Sequence, residues 1–110
     1  MSRMFHSASS FDADLSSWNT SHVKSFHYMF KDAISFTGKG LSNWDVSVAG
    51  SMIGMFRGAT NFNQDLCAWG SKAVNPKYNP SDMFIDTACP TKVSPDLTDT
   101  PPGPFCHECI

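Results

Sequence analysis

The chain has 110 residues, 41% of them hydrophobic and only 16% charged, with a formal net charge of −2. That is the length of one domain, and its eight Lys and Arg are scattered singly, which excludes the clustered basic footprint of a nucleic-acid or anionic-membrane binder. No apolar run approaches the roughly 18 residues of a membrane-spanning helix, and Met1-Ser2-Arg3-Met4-Phe5 lacks the apolar stretch of a signal peptide.

The acidic residues are nine Asp and a single Glu (Glu108), and Leu occurs four times against nine Phe, six Met and three Trp. Glu and Leu favour helix interiors, whereas Asp, Asn, Ser and Gly favour caps and turns. Short elements joined by tight corners around bulky side chains are therefore expected, the profile of a repeat protein.

The repeat is explicit. Met-Phe occurs at 4–5, 29–30, 55–56 and 83–84, at intervals of 25, 26 and 28 residues, where composition alone would give about half of one such pair. In chain order the core columns are Met4, Phe5, Phe11, Leu15 and Trp18; Met29, Phe30, Phe36, Leu41 and Trp44; and Met55, Phe56, Phe62, Leu66 and Trp69. Units span about 4–28, 29–54 and 55–82, with a partial unit at 83–88, so 1–88 reads as a repeat domain and 89–110 as a cap or tail. Thr37-Gly38-Lys39-Gly40 carries one extra residue, and Pro76 and Pro80 interrupt the third unit.

Within a unit, Val23, Phe26, Met29/Phe30, Ala33 and Phe36 recur at steps of three and four, a helical period. Gly50, Gly54 and Gly58 on the outer face of the next unit predict a short or broken helix or a 3₁₀ turn. Thr20/Ser21 and Ser47 sit where an N-cap belongs. The segments 15–20 and 41–46 read as short strands. One helical turn and one strand per unit predict an α/β repeat solenoid of leucine-rich-repeat type, with short parallel strands about 4.8 Å apart, aromatic columns inside and an irregular C-terminal cap. About three units are needed to bury such a core. With no polar cap ahead of Met4, the chain is expected to be the C-terminal piece of a longer array, or else a minimal array; the same uncapped end would allow end-to-end association.

The aligned columns read Met-Phe-x-x-Ala-x-x-Phe-Asn-Gln-Asp-Leu-x-x-Trp-Asp-Val-Ser-x-Val, spelled most fully by Met55-Phe56-Arg57-Gly58-Ala59-Thr60-Asn61-Phe62-Asn63-Gln64-Asp65-Leu66 and by Trp44-Asp45-Val46-Ser47. Over residues 4–88 this resembles the BspA-like leucine-rich-repeat surface proteins and related mycoplasma lipoprotein repeats. The tail Gly103-Pro104-Phe105-Cys106-x-x-Cys109 resembles the endings of such repeats in marine algal proteins. The resemblance implies a surface or secreted protein with a binding or adhesive role and no enzymatic activity. The insertion at 37–40, Gly70 in place of the Asp after Trp, and the prolines of the third unit depart from the pattern.

Five of the seven prolines lie in residues 90–110, a stretch that must wrap across the last unit or hang free. All four cysteines, Cys67, Cys89, Cys106 and Cys109, lie in the second half, an arrangement that suggests covalent stapling of the C-terminal cap. Three pairings are possible; proximity in sequence favours Cys67–Cys89 with Cys106–Cys109. A redox pair at Cys106-His107-Glu108-Cys109 lacks a following helix, and the spacing of the four cysteines is unlike that of zinc knuckles.

The recurring Trp column reads as core in preference to a sugar-stacking platform. Asn19 and Asp45, after Trp, are expected to form a polar ladder that satisfies turn backbone. Asp14 and Asp65 lack a calcium-repeat signature. Asn19-Thr20-Ser21 is a formal glycosylation sequon, expected to be poorly accessible as part of that ladder. His6, His22, His27 and His107 have neither metal spacing nor a nucleophile partner, and no cofactor is expected. The expected function is extracellular or cell-surface interaction with protein or carbohydrate, through a mildly basic exposed column, His6, Lys31 and Arg57. The alternative is a cell-wall or matrix component that self-associates.

Overall fold

The computed structural model describes residues 2–109. Its construction is clearest around the second Met-Phe. The N–H groups of Met29, Lys31, Ala33 and Phe36 donate to carbonyls three residues back, at 3.0–3.2 Å. Those of Phe26, Tyr28, Phe30 and Asp32 donate instead to Ser51, Ile53, Met55 and Arg57 of the following segment, at 2.8–3.1 Å. The backbone thus divides its donors alternately between local turns and the next segment. Arg3, Phe5 and Ser7 donate in the same way to His27, Met29 and Lys31, and Met52, Gly54, Phe56 and Gly58 to Asn79, Ser81, Met83 and Ile85.

This alternation requires a particular backbone. Each Met-Phe is flanked by two left-handed residues: Arg3 and Ser7, Tyr28 and Asp32, Gly54 and Gly58, Asp82 and Asp86, with φ between 56° and 77°. A left-handed residue every fourth position breaks an α-helix and equally prevents a continuous strand. Among the described residues there is accordingly no α-helix and no sheet. The regular structure is two 3₁₀ helices, Leu41–Asn43 and Cys67–Trp69, and isolated bridges, parallel at Ser25–Ser51–Asn79 and antiparallel at Asp96–Gly103 and Phe105–His107.

The expected α/β leucine-rich-repeat solenoid is therefore overturned: the chain is a compact, turn-built body of 36 × 29 × 21 Å. The local assignments fail for a stateable reason. Steps of three and four arise from successive turns closed between residues i and i+3 as readily as from a helix. In the segments read as strands, Leu and Trp lie three residues apart, and the Trp N–H closes a turn onto the Leu carbonyl. Leu41–Asn43 is a 3₁₀ helix, while the bridges fall at Ser25 and Ser51, inside the stretches read as helical.

Two files of aromatic rings form the interior. Phe5, Phe30, Phe56 and Phe84 stack at centroid separations of 5.5, 5.7 and 5.9 Å, within 6° of parallel. Phe11, Phe36 and Phe62 form the second file at 5.6 and 6.3 Å, each lying 4.0–4.1 Å from its partner in the first. Met29, Met55, Leu15, Leu41 and Leu66 are buried beside them. The first segment is less enclosed. Phe5, Phe11 and Trp18 are only partly buried, and Met4, assigned to the core from sequence, is 55% exposed.

The Trp column supplies a second link between segments. The indole Nε1 of Trp44 donates to the Leu15 carbonyl at 2.9 Å, and that of Trp69 to the Leu41 carbonyl at 2.8 Å. Each of these carbonyls also accepts the backbone N–H of the Trp three residues on, so both its lone pairs are used.

The tail wraps and does not hang free. Phe105 and Cys106 are buried, the Leu66 N–H donates to the Phe105 carbonyl, and the Thr91 N–H donates to that of Cys106. All four cysteines are bonded, in a pairing that replaces the one expected from proximity: Cys67–Cys109 and Cys89–Cys106. Docking of Phe105 beside Leu66 sends Cys106 toward Cys89 and leaves Cys109 to meet Cys67, so the two members of the C-x-x-C serve different bonds.

Candidate functional site

The basic column is a real juxtaposition. The bonds from Phe5 to Met29 and Ser7 to Lys31, then from Phe30 to Met55 and Asp32 to Arg57, put His6, Lys31 and Arg57 in register across three adjacent segments. His6 and Arg57 are exposed and Lys31 half-buried. Lys31 Nζ lies 3.3 Å from the Asp32 carboxylate and 5.5 Å from the centre of the Tyr28 ring. The ion pair is partly solvated, which leaves it weak and leaves the lysine free to exchange partners. His6 Nδ1 is 3.3 Å from the Ser7 hydroxyl.

Sequence reasoning missed the neighbours that turn this column into a patch. The Arg3 guanidinium sits 5.4 Å over the Tyr28 ring, on which the His27 imidazole also stacks, at 4.0 Å. Tyr28 can lie flat across the next segment because Gly54 occupies the equivalent position there: a Cβ on Gly54 would run into the Tyr28 ring. Gly58 likewise leaves room for the Asp32 carboxylate. The signal was available, since Arg3, Tyr28 and Gly54 all directly precede a Met-Phe. Arg3 and Lys31 thus place cations against the Tyr28 ring, which the His27 imidazole stacks upon, with His6 and Arg57 alongside.

Asn19 and Asp45 do not bond to each other; each closes its own turn. Asn19 Oδ1 accepts the Ser21 N–H and Asp45 Oδ1 the Ser47 N–H. Asp14, Asp65, Asn75, Asn79 and Asp96 do the same two residues on. Contact between segments at the expected ladder comes instead from Thr20, whose hydroxyl donates to the Asp45 carbonyl at 3.1 Å. Asn19 itself is exposed, contrary to the expectation that its sequon is inaccessible.

These turns, together with a contact between segments at Asp12, set the local electrostatics. The N–H and hydroxyl of Thr37, with Lys39 beside them, hold the Asp12 carboxyl below its usual range. Hydrogen bonds from Ser16, Ser47 and Thr98 lower Asp14, Asp45 and Asp96. Burial raises the Tyr78 phenol, whose hydroxyl lies 3.4 Å from the Met52 sulfur. Asp14 and Asp65 join no cluster of metal-ligating side chains among the described residues, and no helix there is long and apolar enough to cross a membrane. Of the other histidines, His107 Nε2 lies 2.7 Å from the Asn63 side-chain oxygen and His22 is exposed. Trp44 and Trp69 are buried, closed to any sugar.

Turn-built segments around stacked phenylalanines, fastened by two cystines, define the class: a small cystine-closed protein, here with Arg3, Lys31 and Arg57 grouped around Tyr28 on its outer face. The chain belongs to the family described as "Mycoplasma protein of unknown function, DUF285", whose model matches residues 1–94. Comparison with curated proteins and with solved structures gave no match.

Proposed function

We propose that this chain is a non-enzymatic extracellular or cell-surface interaction module, akin to the BspA-like surface proteins, that binds an anionic protein or glycan partner through the patch of Arg3, His6, Tyr28, Lys31 and Arg57. The observation that carries the extracellular part is the pair of cystines, Cys67–Cys109 and Cys89–Cys106, which account for every cysteine. Structural cystines persist in oxidising compartments. The binding part rests on the register that aligns Lys31 and Arg57 beside a flat tyrosine covered by the Arg3 guanidinium, an arrangement suited to carboxylate or sulfate groups spaced along a chain.

Retention on immobilised heparin, a sulfated polyanion, tests it. The oxidised protein should be retained at low salt and released as salt screens the charges, and the double variant Lys31→Glu, Arg57→Glu should elute near the void. Equal retention of the variant and wild type would overturn the assignment of the patch.

A second reading, self-association as a wall or matrix component, is favoured by the half-buried rings of Phe5, Phe11 and Trp18 on the first segment. Sedimentation over a hundredfold concentration range decides it: a constant monomer mass removes this reading.

A further inference from the structure

We propose that Asn19 is an N-glycosylation site, a reading that rests on passage of the chain through a secretory compartment, as the proposed function implies. The sequon Asn19-Thr20-Ser21 is presented in a particular way. Thr20 is 2% exposed and its hydroxyl donates to the Asp45 carbonyl. The middle residue is thereby pinned inward against the next segment, while Asn19 stands at the surface. The hydroxyl and N–H of Ser21 both donate to Asn19 Oδ1, at 2.7 and 3.1 Å. Those bonds occupy the amide oxygen and leave Nδ2 without a protein partner among the described residues. The flanking Ser16, Ser17 and His22 are exposed, so a sugar on Nδ2 displaces no packed side chain.

The other asparagines sharpen the assignment. Asn79 reproduces the geometry, with the Ser81 N–H and hydroxyl donating to its Oδ1 at 3.1 and 2.6 Å. Its middle residue is Pro80, which abolishes a sequon. Asn75 precedes Pro76 and uses its Nδ2 on the Val48 carbonyl at 2.9 Å. The donor would be a lipid-pyrophosphate-linked oligosaccharide. Nδ2 attacks C1 of its first sugar and the C1–N bond forms. The C1–O bond breaks with its electron pair leaving on the pyrophosphate, and the lost Nδ2 proton passes to a base of the transferase.

The test is expression of the full chain behind a cleavable secretion signal in a eukaryotic cell, with intact mass and thiol state measured on cell-associated and secreted protein. The expected result is a mass gain of one oligosaccharide, removed by peptide:N-glycosidase with conversion Asn19→Asp. It should be absent in Ser21→Ala, which keeps the backbone bond to Asn19 and so the fold. Pro80→Ala should acquire a second glycan. An unmodified wild-type chain with all cysteines oxidised overturns the site and leaves the extracellular reading standing. A glycan at Asn19 on a chain with free thiols supports the site and overturns the cystine argument.

Discussion

Replacing Trp69 by Phe tests the device that ties one segment to the next. Trp69 is fully buried and its indole donates to Leu41 across the segment boundary at 2.8 Å. Phe keeps a ring in the same place but removes that bond, at a net cost of about 1 kcal/mol. The Leu41 carbonyl keeps the Trp44 backbone N–H at 3.1 Å, so no acceptor is orphaned and no larger penalty follows. The smaller side chain leaves a void of about 40 Å³, which at roughly 24 cal/mol per Å³ adds about 1 kcal/mol. The sum, about 2 kcal/mol, corresponds to a fall in Tm of roughly 8 °C for a chain of this size. Trp44→Phe should behave alike, since its bond to Leu15 is 2.9 Å and it is equally enclosed. Trp18→Phe, at a half-buried ring, should cost under about 1 kcal/mol. Calorimetry of the three oxidised variants reads the series directly. Equal shifts for all three, or no shift at Trp69, would refute the role given to the indole bonds.

Further outcomes follow from the tail, the turns and the carboxylates. Cys67→Ala with Cys109→Ala opens a loop that the inner cystine shortens to about 26 residues, so denaturant unfolding should show a loss of about 3.5 kcal/mol; a loss below about 1 kcal/mol contradicts the wrapped tail. Gly58→Ala forces an L-residue to φ 77°, at a cost of roughly 1–2 kcal/mol, and drives its Cβ into the Asp32 carboxylate. Asp32→Gly should recover part of that loss in the double variant, and strict additivity would argue against the contact. Asp12, Asp14, Asp45 and Asp96 have lowered folded-state pKa values. Between those values and the unfolded value of about 3.9, the unfolded chain binds protons that the folded chain does not. Stability is therefore complete above that window and falls as pH drops through it, so the urea midpoint should be lower at about pH 3 than at about pH 6. Tyr78, raised by burial, acts in the opposite sense. Above about pH 10 the unfolded phenol loses a proton that the folded one retains, and stability should decline as pH rises further.

The interior was more legible in the sequence than the backbone that encloses it. Phe26, Met29, Phe30, Ala33 and Phe36 are all buried, at a spacing that a helix and a run of i to i+3 turns share. Periodicity therefore located the inward side chains without distinguishing the two. What distinguishes them is the pair of left-handed positions around each Met-Phe, visible as Gly54 and Gly58 in one segment but hidden under Tyr28 and Asp32 in the one before. Read singly, those glycines looked like poor helix residues; read as a column, they mark turns. Connectivity of the cysteines was beyond reach, because it depends on Phe105 folding back onto Leu66, a contact with no periodic signal. The basic column His6, Lys31 and Arg57 could be drawn from the repeat alone. The aromatic centre beside it, Tyr28 between Arg3 and His27, needed the outward lean of a left-handed residue.

The measurement that tests the account most directly is a non-reducing peptide map of the natively purified chain, with free thiols alkylated before digestion. The wrapped tail predicts no alkylation and two linked fragments, Cys67 with Cys109 and Cys89 with Cys106. A Cys106–Cys109 link within one fragment would contradict the wrapped tail, and alkylation at all four cysteines would contradict both the wrapped tail and the extracellular assignment built on the cystines.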